Sequence, residues 1–362
     1  MSIGGVEKSL VSLLHTLSPQ EYDVDLLLLE RSGGFLSQIP PWVHVMELEA
    51  YAELKETVNL PPITVIRKAL RCGAVQKAVR LSAAYVLTKL KHDYRYYYRA
   101  AFRSVPHCPK QYDIAISYSS IISYLTWYVC YHVSAKQKIG WIHFDVSQLQ
   151  LDRKMLLALH SQLDKIFIVS EQGYRIFCKM FPSLAPKCAV RYNVIDRTSI
   201  LQLAEAPIPE VLTRNHPIIM TLGRLEPEKG QDIIPEVADL LRTAGFRFTW
   251  YLIGDGSLRN PIQAEISRRA LHNEVILLGT ESNPYPYLKL ADLYVQTSIH
   301  EGYCITLAEA RVFTDCIVST DFTGAREQLS SSPHALIVKR SAAEIADAVS
   351  QLLKAPSANC PD

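Results

Sequence analysis

Apolar runs and polar breaks alternate through the C-terminal half of the chain with a regular beat. Ile218-Ile219-Met220-Thr221-Leu222 is an apolar run ending at Gly223, followed by the polar stretch Arg224-Leu225-Glu226-Pro227-Glu228-Lys229-Gly230. Positions 233–243 then have helical spacing and stop near Gly245. The same strand signal returns at 248–254, 275–279, 293–297 and 316–320, with helices predicted over 258–271, 285–291, in the 301–312 unit and from Gly324. Continuous apolar strands alternating with helices predict a doubly wound parallel sheet, an α/β fold that binds ligands at the carboxyl ends of its strands. The N-terminal half follows the same grammar less cleanly. Strands are predicted at 24–29, 113–118, 138–143, 165–170 and 189–192, with helices after Gly4-Gly5 and over 172–180. Pro207 and Pro209 mark a linker between Val194 and His216, which predicts two domains, 1–200 and 201–362.

A length of 362 residues supports this division, because it exceeds what one ordinary core serves. The net charge of +2 hides an uneven distribution. From Arg67 to Lys110 the chain carries eleven Lys and Arg residues against one acid, Asp93, interleaved with Tyr85, Tyr94, Tyr96, Tyr97, Tyr98 and Phe102. Basic and apolar residues at helical spacing suit an anionic bilayer surface; the plain alternative is a solvated basic face. No nucleic-acid-binding motif accompanies the charge, so nucleic acid is not expected as a partner. The eight cysteines form no C-x2-C pair and no histidine cluster has zinc spacing, which predicts free thiols in a reducing cytoplasm and no metal site. No apolar run is long enough to span a bilayer, and no signal peptide is recognised. The expected location is cytoplasmic, peripheral at the inner face of the plasma membrane.

Four groups of residues carry candidate chemistry. Glu301 and Glu309 stand eight positions apart across a turn that leads into a helix. Glu301 is expected in the loop at the helix N-terminus and Glu309 about two turns in; eight residues at ~100° each return to ~80° from the start, so both carboxylates would flank one crevice and accept hydrogen bonds from hydroxyls. The plain alternative is an acidic cap and a solvated Glu. Gly223-Arg224-x4-Lys229-Gly230 puts a guanidinium and an ammonium in one strand-end loop, suited to a pyrophosphate leaving group. Ion pairs to Glu226 and Glu228 would serve equally to explain it. Gly4-Gly5 opens a helix and lets backbone approach a phosphate, or simply makes a turn. His143 follows an apolar strand and can reach a bound sugar or be satisfied locally; Asp145 is its orienting partner or a helix cap.

Together these residues resemble the GT-B glycosyltransferases, specifically the retaining, nucleotide-sugar-dependent family 4. The resemblance is dense in G-R-L-E-P-E-K-G (Gly223–Gly230), L-I-G-D-G-S-L-R (Leu252–Arg259), N-P-Y-P-Y-L-K-L-A-D-L-Y-V (Asn283–Val295) and E-G-Y-C-I-T-L-A-E-A (Glu301–Ala310). The Asn-Pro-Tyr-Pro-Tyr segment is similar to bacterial enzymes of capsule, exopolysaccharide or lipid-linked oligosaccharide assembly. The resemblance implies two Rossmann-like domains facing across a cleft, an N-terminal acceptor side and a C-terminal donor side. It implies Arg224 and Lys229 on the donor phosphates, Glu309 on the ribose and Glu301 facing the donor sugar. Gly302, Tyr303 and Cys304 would offer backbone N–H groups, Thr306 would join the donor site, and Gly5 would lie under the diphosphate. His143 and Glu301 would be the catalytic pair.

The implied reaction moves a sugar, with retention and without a metal, from a nucleotide sugar (a UDP-sugar by family frequency) to a lipid-linked or oligosaccharide acceptor in cell-surface polysaccharide synthesis. Against the family pattern, the first N-terminal strand and the C-terminal crossover helix are expected to be lacking. Two other readings keep the fold, a nucleotide-sugar epimerase and an inactive donor-binding scaffold subunit.

Overall fold

The structure is a computed structural model that describes residues 4–149, 151–207 and 216–354. Its contacts divide the chain into two units, Met1–Tyr192 and Asn193–Asp362. The expected shortening at the two ends concerns residues 1–3 and 355–362, which lie outside the described residues.

The first unit runs α1 (Gly5–Thr16), β1 (Asp25–Leu28), β2 (His44–Glu47), α2 (Tyr51–Asn59), α3 (Pro62–Arg71), α4 (Val75–Lys91), α5 (Arg95–Ala101), β3 (Gln111–Ser117), α6 (Ser123–His132), β4 (Ser134–Ile142), α7 (Arg153–His160), β5 (Lys165–Ile168), α8 (Glu171–Met180) and β6 (Cys188–Val190). All its ladders are parallel: β1 with β2, and a second sheet in the order β3-β4-β5-β6. The apolar periodicity does not predict β2, whose four residues are exposed at both ends. Helix α1 buries Val11 and Leu14 against Val43, Val45 and Leu26. Among the described residues β3 pairs with β4 alone, and its Ile114 and Ile116 are 48% and 44% exposed, an open apolar edge. The start of β3 is tied to the start of β1 by Lys110 and Tyr112, which both donate to Asp25 Oδ2 at 2.7 Å.

The second unit runs α9 (Arg197–Leu203), β7 (Ile218–Leu222), α10 (Ile234–Thr243), β8 (Thr249–Ile253), α11 (Arg259–Arg268), β9 (Val275–Gly279), α12 (Tyr285–Leu288), β10 (Leu293–Gln296), α13 (Ile305–Ala310), β11 (Ile317–Thr320), α14 (Ala325–Leu329), β12 (Ala335–Val338) and α15 (Ala342–Lys354). Its described strands form one parallel sheet ordered β12-β11-β10-β7-β8-β9. Every residue of β7, β8, β10 and β11 is buried, as continuous apolar strands covered on both faces must be. One layer centres on Ile219, Trp250, Leu252 and Val295; the other centres on Met220, Tyr251, Tyr294 and Leu307. From β7 the chain first builds outward through β8 and β9, then returns to add β10, β11 and β12 on the other side. The reversal lies between β7 and β10, and crevices in doubly wound sheets form at such a point. The seven described cysteines are free thiols; Cys360 lies outside the described residues.

Candidate functional site

The loops that follow β7 and β10 are knitted together at the reversal. Ile299 N donates to Glu228 O at 2.8 Å, and Thr297 Oγ1 donates to Lys229 O at 3.0 Å. Gly230 makes the approach possible. It sits at φ +66°, and a Cβ there would lie 2.4 Å from the Thr297 carbonyl oxygen.

This packing delivers Lys229 to Glu301. The ammonium donates to Glu301 Oε1 at 2.5 Å, and the two side chains are only 17% and 10% exposed. Burial opposes the Lys229 charge and Arg224 repels it, yet the Glu301 carboxylate outweighs both and raises the lysine's pKa. Lys229 is therefore a fixed cation at neutral pH. Behind it runs a chain of polar groups. Ser298 Oγ donates to Glu301 Oε1 at 2.8 Å, Gln296 Nε2 donates to Ser298 Oγ at 2.7 Å, and Tyr294 Oη donates to Gln296 Oε1 at 2.7 Å. Thr306 Oγ1 also donates to Gln296 Oε1, at 3.4 Å, bringing the helix that follows into the same network.

Glu309 is 2% exposed, and Tyr285 Oη donates to its Oε1 at 3.0 Å. Burial pushes the Tyr285 hydroxyl well above its ordinary pKa and the Glu309 charge adds to this, so the tyrosine stays a donor. The angular argument linking Glu301 to Glu309 fails in its premise. Residues 301–304 are not helical, and α13 begins only at Ile305 with Cys304 in the left-handed region at φ 58°. Glu301 lies in the loop between β10 and α13, as expected, and Glu309 on α13 itself, so the loop conformation rather than helical periodicity relates the two acids. Glu309 is the fifth residue of a six-residue helix. Gly302 is buried, Tyr303 is half-buried, and the enclosed Cys304 thiol is pushed far up by burial and by Glu301. Its Sγ lies 3.4 Å from Thr306 Oγ1.

Arg224 does not join Lys229 on a shared partner. Its side chain is 58% exposed and bonds Glu228 Oε1 at 3.1 Å. Glu226 instead receives Ser257 N and Oγ, at 3.2 and 2.6 Å. Half of the expected basic pair is thus the surface ion pair weighed against it.

In the first unit, His143 follows β4 and is 6% exposed, with its ring 4.6 Å from that of Tyr118. Tyr118 Oη in turn lies 2.8 Å from Ser9 Oγ on α1, one turn beyond Gly5. The glycine-opened helix and the histidine, 138 positions apart by number (143 − 5), are thereby gathered around one tyrosine. Asp145 Oδ1 accepts from Ser147 N and Oγ at 2.9 and 2.6 Å, so it caps the following turn. Among the described residues no group of three or more His, Cys, Asp or Glu is placed to hold a metal ion.

Sequence reasoning did not single out Gln296, Ser298, Tyr285 or Tyr118. The signal for the first two was present: polar residues at the end of an otherwise apolar strand.

Residues 206–360 match the sequence profile of the family described as glycosyl transferases group 1. Lys229, Glu301 and Glu309 all fall inside the matched residues, and His143 and Gly5 fall outside them. An uncharacterized glycosyltransferase of Methanocaldococcus jannaschii is 29% identical over 170 residues, 46% of this chain and 42% of the relative. N-acetylgalactosamine-N,N'-diacetylbacillosaminyl-diphospho-undecaprenol 4-alpha-N-acetylgalactosaminyltransferase of Campylobacter jejuni is 26% identical over 190 residues, 52% of this chain and 50% of the relative. The chain thus spans about half the length of the curated relatives it matches. In fold, it is similar to the Anabaena protein HepE solved with UDP and glucose, at a TM-score of 0.68 and 15% identity, covering 97% of this chain and 87% of that one. That likeness, with two parallel-sheet units, is the GT-B fold of two Rossmann-like domains.

Proposed function

We propose that this protein is a retaining glycosyltransferase of family 4 that moves a sugar from a nucleotide sugar, with UDP as carrier, to a lipid-linked glycan. The observation that carries the reading is the buried Lys229–Glu301 pair at the sheet reversal, beside the Glu309–Tyr285 pair, inside a group 1 domain. In this reading Lys229 neutralises the diphosphate as it leaves, aided by Arg224 once that exposed side chain swings from Glu228. The diphosphate charge is handled by side chains and by the backbone N–H groups of Gly302, Tyr303 and Cys304, and the transfer needs no metal. Glu309 accepts from the ribose hydroxyls, with Tyr285 fixing its orientation. Glu301 faces the sugar and Thr306 lines the donor site; the roles proposed for His143, at the sugar, and for Gly5, at the diphosphate, rest on the family resemblance. The acceptor class is supported by the name of the Campylobacter relative, which acts on a diphospho-undecaprenol glycan. Cell-surface polysaccharide synthesis at the inner face of the plasma membrane follows from such an acceptor.

The test is incubation of the protein with UDP-sugars and an undecaprenyl-diphosphate-linked oligosaccharide. UDP release together with a product extended by one α-linked sugar is expected. UDP binding without transfer would make the protein a donor-binding subunit, and epimerised donor without acceptor would make it an epimerase. Absence of UDP binding, or binding indifferent to Glu309→Ala, would overturn the donor site itself.

A further inference from the structure

Helix α4 is apolar on two faces. Ala78, Leu81, Ala84 and Thr88 are buried. On the other side Val75, Val79, Ala83, Val86 and Leu90 recur at spacings of four, four, three and four, which places them within an arc of ~80°. This second stripe faces water: Val75, Val79, Val86 and Leu90 are 55%, 62%, 55% and 71% exposed. Helix α3, packed on α4, adds Ile63 and Leu70 at 48% and 53% exposure. A contiguous exposed apolar surface of this kind is an interaction site rather than the scattered apolar exposure of an ordinary surface.

Charge selects the occupant. Lys89 borders the stripe on α4 and Lys91 ends that helix, Arg67 and Arg71 stand on the exposed side of α3, and the single acid between Arg67 and Lys110, Asp93, is held by Arg95. A second copy of the chain docking symmetrically would press these cations against their own kind. An anionic lipid surface takes both features at once, accepting aliphatic side chains at the headgroup boundary and pairing Lys and Arg with phosphates. Among the described residues no helix is long and apolar enough to cross a membrane, so the contact is along the surface.

We propose that the outward stripe of α4, with the flanking cations of α3 and α4, is a docking surface for anionic phospholipid bilayers. The inference stands apart from the transfer chemistry, and its test uses neither donor nor acceptor. The protein is sedimented with vesicles of phosphatidylcholine alone or of phosphatidylcholine mixed with phosphatidylglycerol. The wild type should sediment with the anionic vesicles, stay in solution beside the neutral ones and be released from the anionic ones by salt. Replacing Lys89 and Lys91 by Gln should weaken partitioning on the order of tenfold. Val79→Ser with Val86→Ser and Leu90→Ser should weaken it comparably while the far-UV circular dichroism spectrum stays unchanged. Wild-type binding that ignores lipid charge, or serine and glutamine variants that partition like the wild type, would overturn the proposal. So would a dimer that the serine variant converts to monomer, with no vesicle binding by either.

Discussion

Replacing Lys229 by Met removes the ammonium and keeps the length of the side chain. The structure gives two consequences with separate readouts. Glu301, 10% exposed, loses the cation 2.5 Å from its Oε1 and keeps the bond from Ser298. Removing one partner of a buried ion pair costs about 3–5 kcal/mol, and the residual exposure here points to the lower end. Urea unfolding should show that loss, and the double variant Lys229→Met/Glu301→Gln should recover most of it, because no lone carboxylate remains. The second consequence concerns ligand. A charge-assisted hydrogen bond to a diphosphate oxygen contributes about 1.5–3 kcal/mol, so UDP affinity should fall roughly 10- to 100-fold. Isothermal titration of the refolded double variant measures this on a sound scaffold. Glu301→Gln alone should bind UDP at least as well as the wild type, since the anion competing for Lys229 is gone, while its affinity for UDP-sugar falls. Wild-type UDP affinity in both Lys229→Met and the double variant would refute the charge-clamp reasoning and leave the pair a structural element.

Glu309→Ala should lower UDP affinity at least tenfold and leave inorganic pyrophosphate binding intact, because only the ribose contact is lost; Tyr285→Phe should show a smaller effect of the same kind, about 1 kcal/mol or more. His143→Asn should reduce turnover with little change in UDP affinity, measured by initial rates beside titration. Turnover in EDTA should equal that in magnesium, and restoration of lost activity by metal would contradict the metal-independent reading. Burial raises the Asp25 carboxyl, but hydrogen bonds from Lys110, Tyr112 and His44 outweigh it and hold its pKa at about 2, below the ordinary 3.8. A depressed carboxylate stabilises the fold above its unfolded value and loses that contribution as pH falls towards about 2. Asp25→Asn should therefore be less stable than the wild type near neutrality, with the gap in urea midpoint closing between about pH 4 and pH 2.

The sequence alone carried the alternation of strand and helix in the second unit, because strands buried on both faces must be continuously apolar. It also carried the loops bearing Lys229 and Glu301 and the helix bearing Glu309, since the residues that break such strands are confined to the ends where ligands sit. It did not carry β2, four residues exposed at both ends, nor the true start of α13, where Cys304 takes a left-handed backbone that periodicity cannot register. Which cation meets which anion was decided by tertiary structure. Arg224 and Lys229 are equivalent in the sequence, but Gly230 packs the loop against Thr297 and buries only Lys229 against Glu301, leaving Arg224 in solvent with Glu228. The joining of Ser9, Tyr118 and His143, and the turning of one apolar face of α4 to the core and the other to water, likewise depend on contacts between residues far apart in the chain. Local patterning sets what each segment is; long-range packing sets which of its side chains are buried, charged and within reach of one another.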